Sequence, residues 1–228
     1  ITDKEGLPYT FLSAICGESS SLYLVLPPDG SDIPQVAYVH IKFNSGVPVF
    51  LNLGDRKPVS LYGYNENSAI IDSEGSIFLI TDSVIKSPNS KLQPLTLPNN
   101  EKAIYVSCLK KFIIALSSNG HLYEAPFSPE NKNVTFSEVQ ELKGQKIDQI
   151  SGYSRHCFAV NSKGQVFGKG SNESGELGLG SKIKNVDKFT EITSLKKFKI
   201  SAAYAGNDYS LYRTADGKIF GSGSNFCG

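Results

Sequence analysis

At 228 residues and 24.7 kDa, with 39% apolar and 11% aromatic residues, the chain has too many core-forming side chains for a disordered tail. No run approaches the ~18 apolar residues of a membrane span; the best, residues 113–116 and 158–160, have strand length. A formal net charge of +1 argues against a dedicated nucleic-acid surface.

The charge is unevenly spread. Residues 1–140 hold 10 Lys and Arg against 14 Asp and Glu, whereas residues 141–228 hold 13 against 8. This mild C-terminal basicity is expected either to sit on solvated strand edges or to favour an acidic partner. Residues 1–10 lack a basic stretch followed by an apolar one, so no signal peptide is expected, and the missing Met suggests a piece of a longer chain. Cys16, Cys108, Cys157 and Cys227 form no C-x-x-C pair. Their spacing suits reduced, buried thiols in a cytoplasmic or nuclear protein better than disulfides or a zinc site. Two sequons, at Asn133 and Asn172, arise easily by chance.

Internal repetition organises everything else. SLYLVLPPDG, NSAIIDSEGSIF, FIIALSSNGHLY, HCFAVNSKGQVF and YSLYRTADGKIF each read as an apolar strand, a polar turn ending in Gly, and a short apolar-aromatic strand. The turn glycines are Gly30, Gly75, Gly120, Gly164 and Gly217, spaced by 45, 45, 44 and 53 residues. A tight hairpin needs positive φ at such a position, which a Cβ resists, so Gly75, Gly120, Gly164 and Gly217 are assigned as structural turns. Phe78, Tyr123, Phe167 and Phe220 share one repeat position and are expected to be buried.

A segment led by Lys precedes each of the last four hairpins, at residues 57–61, 102–106, 146–150 and 199–203. Outer strands are expected over residues 47–53, 92–97, 136–142 and 189–195. Short runs rich in β-branched and aromatic residues and closed by Gly exclude helices. Four strands per unit, repeated radially, is the composition of propeller blades.

The long last interval contains GKGSNESGELGLG at residues 168–180, which resembles the W-G-x-N-x-x-G-Q-L-G-L-G loop of RCC1 (regulator of chromosome condensation) repeats. Gly170, Asn172, Gly175, Leu177, Gly178, Leu179 and Gly180 match; Glu176 replaces the usual Gln, and Lys169 and Ser222 stand where the family packs Trp. Residues 205–211 (AGNDYSL) resemble the family's A-G-x-x-H-S-L, with Tyr209 at the His position, which His156 occupies one repeat earlier. The resemblance is specific over residues 147–228 and implies an all-β fold, a β-propeller of four-stranded RCC1-like blades. Residues 1–228 are then one domain of about five repeats, the last one truncated. Seven blades of this length need ~315 residues, so an incomplete propeller is expected.

Sites for chemistry are not evident. The Gly-rich loop lacks the G-x-x-x-x-G-K-[ST] spacing of a phosphate cradle, and the three histidines have no metal-ligand spacing. Cys157 follows His156 directly, and neighbours on a strand point to opposite faces, which disqualifies them as nucleophile and base. No cofactor, metal or catalytic residue is expected. The leading reading is a non-catalytic protein-protein interaction module, part of a longer chain. The alternative implied by the resemblance is guanine-nucleotide exchange on a Ran-type small GTPase, which needs no acid or base residue. The partner is a protein, either such a GTPase or another segment completing the propeller; neither a membrane nor nucleic acid or chromatin is expected. Candidate binding residues are loop positions that break the repeat: Arg155, Lys169, Glu173, Asn207 and Asp208.

Overall fold

The computed structural model describes residues 1–2, 5–16, 20–40, 47–64, 67–81, 84, 87, 89–128 and 134–226. The described residues divide into two compact units, one up to residue 106 and the other from residue 107 to 226. The named strands form five antiparallel sheets, one for each turn glycine.

The first unit holds two sheets. β1 (Thr10–Cys16), β2 (Ser20–Leu26), β3 (Gln35–His40) and β4 (Val49–Phe50) pair in chain order. β5 (Pro58–Tyr64), β6 (Asn67–Asp72) and β7 (Ile77–Ile80) make the second sheet, to which a single bridge from Ile77 to Leu95 adds. Their shared core gathers Leu24 and Tyr38 from the first sheet with Ile70 and Phe78 from the second.

The second unit holds the rest, apart from the start of β8. β8 (Ala103–Cys108), β9 (Phe112–Ser117), β10 (Leu122–Pro126) and β11 (Ser137–Glu138) lie in the order β11-β10-β9-β8. β12 (Ile147–Tyr153), β13 (His156–Asn161), β14 (Val166–Ser171) and β15 (Asn185–Glu191) form the fourth sheet. β16 (Ile200–Ala205), β17 (Tyr209–Thr214) and β18 (Ile219–Gly223) form the fifth. Central strands are apolar on consecutive residues because they are covered on both faces: β13 is buried throughout. The fourth and fifth sheets share a core in which Phe158 and Val166 meet Ala203 and Tyr212.

All five turn glycines have φ between +81° and +88°. Beyond closing its own hairpin, the turn glycine of three repeats receives the next repeat. Its carbonyl accepts the amide of Ala103 (from Gly75, 3.0 Å), Ile147 (from Gly120, 2.9 Å) or Ile200 (from Gly164, 3.1 Å). A Cβ on Gly164 would stand 2.7 Å from Lys199 Cγ and 3.0 Å from the Ile200 amide nitrogen, whereas one on Gly217 would meet nothing within 4 Å. Both substitutions force a side chain into the left-handed region, at about 1–2 kcal/mol. Gly164→Ala is therefore expected to lower the denaturation midpoint clearly more than Gly217→Ala. Equal losses would refute the close approach.

Three of the four expected outer strands shrink. Residues 47–53 contribute only Val49–Phe50, residues 92–97 one bridge, and residues 136–142 only Ser137–Glu138. The fourth starts earlier than expected, at Asn185, and ends at Glu191. An outermost strand has a ladder on one side only, and 3-10 turns at Gln140–Leu142 and Thr193–Leu195 end two of them, with Leu142 and Leu195 tucked into the core. Phe78, Tyr123 and Phe167 are buried as expected; Phe220 is half-buried against Phe198, ring centroids 4.4 Å apart. Cys108 and Cys157 are buried thiols, but Cys16 is exposed on the solvent-exposed edge strand β1, and Cys227 lies outside the described residues.

Candidate protein-interaction surface

Hydrogen bonds tie one repeat to the next at fixed repeat positions. Gln149 on β12 brackets Ala203 on β16, its amide donating to the Ala203 carbonyl (2.9 Å) and its Oε1 accepting the Ala203 amide (3.1 Å). Ser151 Oγ accepts the Ala205 amide at 3.1 Å, and His156 Nε2 meets Ser210 Oγ at 2.9 Å. With the Ser107 hydroxyl of β8 donating to the Gly152 carbonyl of β12 at 2.9 Å, these ties fix the hairpin turns at one end of the third, fourth and fifth sheets. The equivalent turn residues are Lys110-Lys111, Ser154-Arg155 and Asn207-Asp208.

Beside these turns lies a cleft of about 430 Å³ within the second unit. Its floor is Phe112 and Val186, both half-buried, and its rim carries Lys110, Lys111, Arg155 and Lys184 with Glu173 and Asp187. The buried Ser154 sits at its edge with φ +53°, an uncommon conformation for a residue with a Cβ, and its carbonyl accepts the Lys110 amide at 2.9 Å.

Three of the five candidate residues form one ion network: the Arg155 guanidinium reaches Asp208 at 3.1 Å and Glu173 at 3.5 Å. Asn207 is joined to it through Asp208, at 3.3 Å. Lys169 lines the cleft but is largely spent: its side chain is 14% exposed, and its ammonium sits 2.5 Å from Glu124 and 4.9 Å above the Phe112 ring. A cation between aromatic rings thus fills the place of an indole. The repeat rule missed Lys110, Lys111 and Lys184. Carrying the Arg155 turn back one repeat finds the first two.

The Gly-rich loop is a structural knot. Asn172 is 0% exposed; its Oδ1 accepts the Leu177 amide (2.8 Å) and its Nδ2 donates to the carbonyls of Gly180 (3.1 Å) and Ile183 (2.6 Å). That burial leaves no access for a glycan at the Asn172 sequon; Asn133 lies outside the described residues. Glu176, also buried, accepts from Ser171 Oγ (2.6 Å) and the Ser174 amide (2.8 Å). No group of three or more His, Cys, Asp or Glu suited to a metal occurs among the described residues. Burial pushes the Cys108 thiol up to about 12 and raises Cys157 as well, so neither is a poised nucleophile.

Burial lowers His156 from its ordinary 6.5 to about 4, a shift that Glu176 and Asp208 oppose and Arg155 reinforces. The unfolded chain takes up this proton below pH 6.5, while the folded one resists it until about pH 4. Stability is therefore full above pH 6.5 and falls as the pH drops between these values, by up to ~1.4 kcal/mol per pH unit from this residue. Denaturation of wild type and His156→Gln across pH 4–7 checks this; parallel curves would refute it.

Comparison with known proteins agrees with this architecture. The family model for the regulator of chromosome condensation (RCC1) repeat matches residues 163–212. The probable human E3 ubiquitin-protein ligase HERC3 is 33% identical over 90 residues, which are 40% of this chain and 9% of that protein. Human WBSCR16 superimposes with a TM-score of 0.74 at 16% identity, over 95% of this chain and 62% of that one. Prp20p from Saccharomyces cerevisiae, described with its binding to Gsp1p and histones, gives 0.69 at 14% identity, over 94% and 58%. The chain thus spans under a tenth of that curated relative and about three-fifths of those solved structures. Its sheets are blades of a β-propeller fold. Residues 163–212 are thus similar to an RCC1 repeat, and the described sheets share the fold of RCC1 propellers.

Proposed function

We propose that this chain is a non-catalytic protein-interaction module whose recognition surface is the cleft beside Lys110, Arg155 and Lys184. The observation that carries this reading is the convergence of charged turn residues from successive repeats around one cleft on a hydrogen-bonded β scaffold. Arg155, Glu173 and Lys169 line it, while Asp208, joined by Asn207, holds the Arg155 guanidinium from outside the cleft. Reduced thiols at Cys108 and Cys157 suit a cytoplasmic or nuclear setting. No helix among the described residues is long and apolar enough to cross a membrane.

Cross-linking of the chain to partners from its native source, with the linked residues mapped, tests the reading. Links concentrated on residues 110–112, 154–155 and 184–187 are expected, and links scattered over all five sheets would overturn it. A second partner, another segment completing the propeller, is supported by the fifth sheet. There Tyr209, Leu211 and Ile219 are 50%, 42% and 66% exposed, while their fourth-sheet counterparts His156, Phe158 and Val166 are buried.

The alternative is nucleotide exchange on a Ran-type small GTPase. Its support is the RCC1 match and the Gsp1p binding described for Prp20p. Accelerated release of labelled GDP from such a GTPase on adding the chain would establish it; an unchanged rate would remove it.

A further inference from the structure

The cleft has a marked imbalance in how its charges are satisfied. Arg155 is held by two carboxylates and Lys169 by one. Lys110 and Lys111 make no ion pair among the described residues, and Lys184 reaches only the carbonyl of Glu173, at 3.4 Å. All three are exposed, and all three line the same cleft, above Phe112 and Val186. We infer that the cleft takes an acidic, extended protein segment: its carboxylates meet Lys110, Lys111 and Lys184, and one apolar side chain between them rests on Phe112 and Val186. This deepens, and rests on, the reading of the cleft as a protein-recognition surface.

The same details disfavour a nucleic-acid strand. Glu173 and Asp187 share the rim and repel a continuous phosphate backbone. The one aromatic ring of the cleft already carries the Lys169 ammonium, so it offers no clear face for stacking a base. A segment with discrete carboxylates can place them by the lysines and avoid the two acids, an arrangement that selects against the wrong partner as well as for the right one.

The probe is a fluorescein-labelled synthetic peptide of alternating Asp and Glu with a central Phe, titrated with the full chain at low salt and read by anisotropy. Binding is expected. Lys110→Glu with Lys111→Glu should weaken it roughly tenfold or more, and Lys184→Glu should weaken it independently. Lys196→Glu with Lys197→Glu, an equal charge change outside the cleft, should leave it unaltered, as should a folding check by circular dichroism on every variant. Exchange of the peptide's Phe for Ser should weaken binding further. Absence of binding, equal loss from both lysine pairs, or tighter binding of a DNA duplex through the same lysines would each overturn the inference. Cross-links that map to the cleft but persist in the Lys110→Glu, Lys111→Glu chain would sink the acidic segment and leave the recognition surface standing. Peptide binding without cleft cross-links would do the reverse.

Discussion

Replacing Phe158 with Ala is expected to lower the unfolding free energy by about 3–5 kcal/mol, the range for deleting a core aromatic. The ring is 0% exposed and is held edge-on by His156 (5.5 Å) and Tyr212 (5.4 Å). It lies opposite Gly168, where even a Cβ would come within 3.3 Å of it. The cavity left behind cannot readily collapse, because its walls belong to strands whose registers are fixed by their own ladders. Leu211, the same repeat position one sheet later, is 42% exposed, and Leu211→Ala should cost under about 1 kcal/mol. Urea denaturation of the two variants makes the comparison at constant m-value. Similar losses would mean that the two sheets are covered alike.

Asn172→Ala is expected to cost about 3 kcal/mol without removing any apolar area. Ala leaves the amide of Leu177, itself fully buried, without its acceptor, at ~1–3 kcal/mol. The carbonyls of Gly180 and Ile183 lose a donor each, but both residues are exposed and water replaces part of that loss. Asn172→Asp keeps the acceptor and should fall between wild type and Ala. Hydrogen exchange at the Leu177 amide is the sharper readout: protection retained in the Ala variant would show that the loop does not depend on this side chain.

Much of this architecture was legible before any coordinates, because the repeat states its own grammar. A Gly preceded by an apolar run and followed by an apolar-aromatic pair located one hairpin in each of four repeats, and Asn172 with its glycines marked the elaborated loop. The outer strands were not legible, since residues such as Leu97, Leu142 and Leu195 look like strand residues while serving as buried pegs beside or within 3-10 turns. Of the candidate site, Arg155, Glu173 and Asp208 were found as departures from the repeat, and they do meet. The partner of Lys169 was hidden, because it comes from a different repeat. Glu124 neutralises Lys169 from 45 residues away, on the preceding sheet. The signal for it was a Glu at the position that Gly168 and Gly221 occupy in the next two repeats. Lys110 and Lys111 are ordinary turn residues taken alone and become conspicuous only beside Arg155.

The carbonyl of each receiving turn glycine also bears on how such a chain tolerates changes of length. From Gly75 to Lys102 there are 27 positions, from Gly120 to Lys146 26, and from Gly164 to Lys199 35, yet the same amide-to-carbonyl link closes all three intervals. The extra residues of the third interval are spent in the loop built around Asn172, which supplies its own hydrogen bonds and asks nothing of the link. Insertions and deletions in a gene of this kind are therefore free to accumulate between a turn glycine and the next Lys. A single residue gained or lost between that Lys and the following Gly would throw the strand's inward side chains to the outside. Divergence in length is channelled into one side of each repeat, the side that in the fourth repeat also carries Glu173 and Lys184 of the cleft.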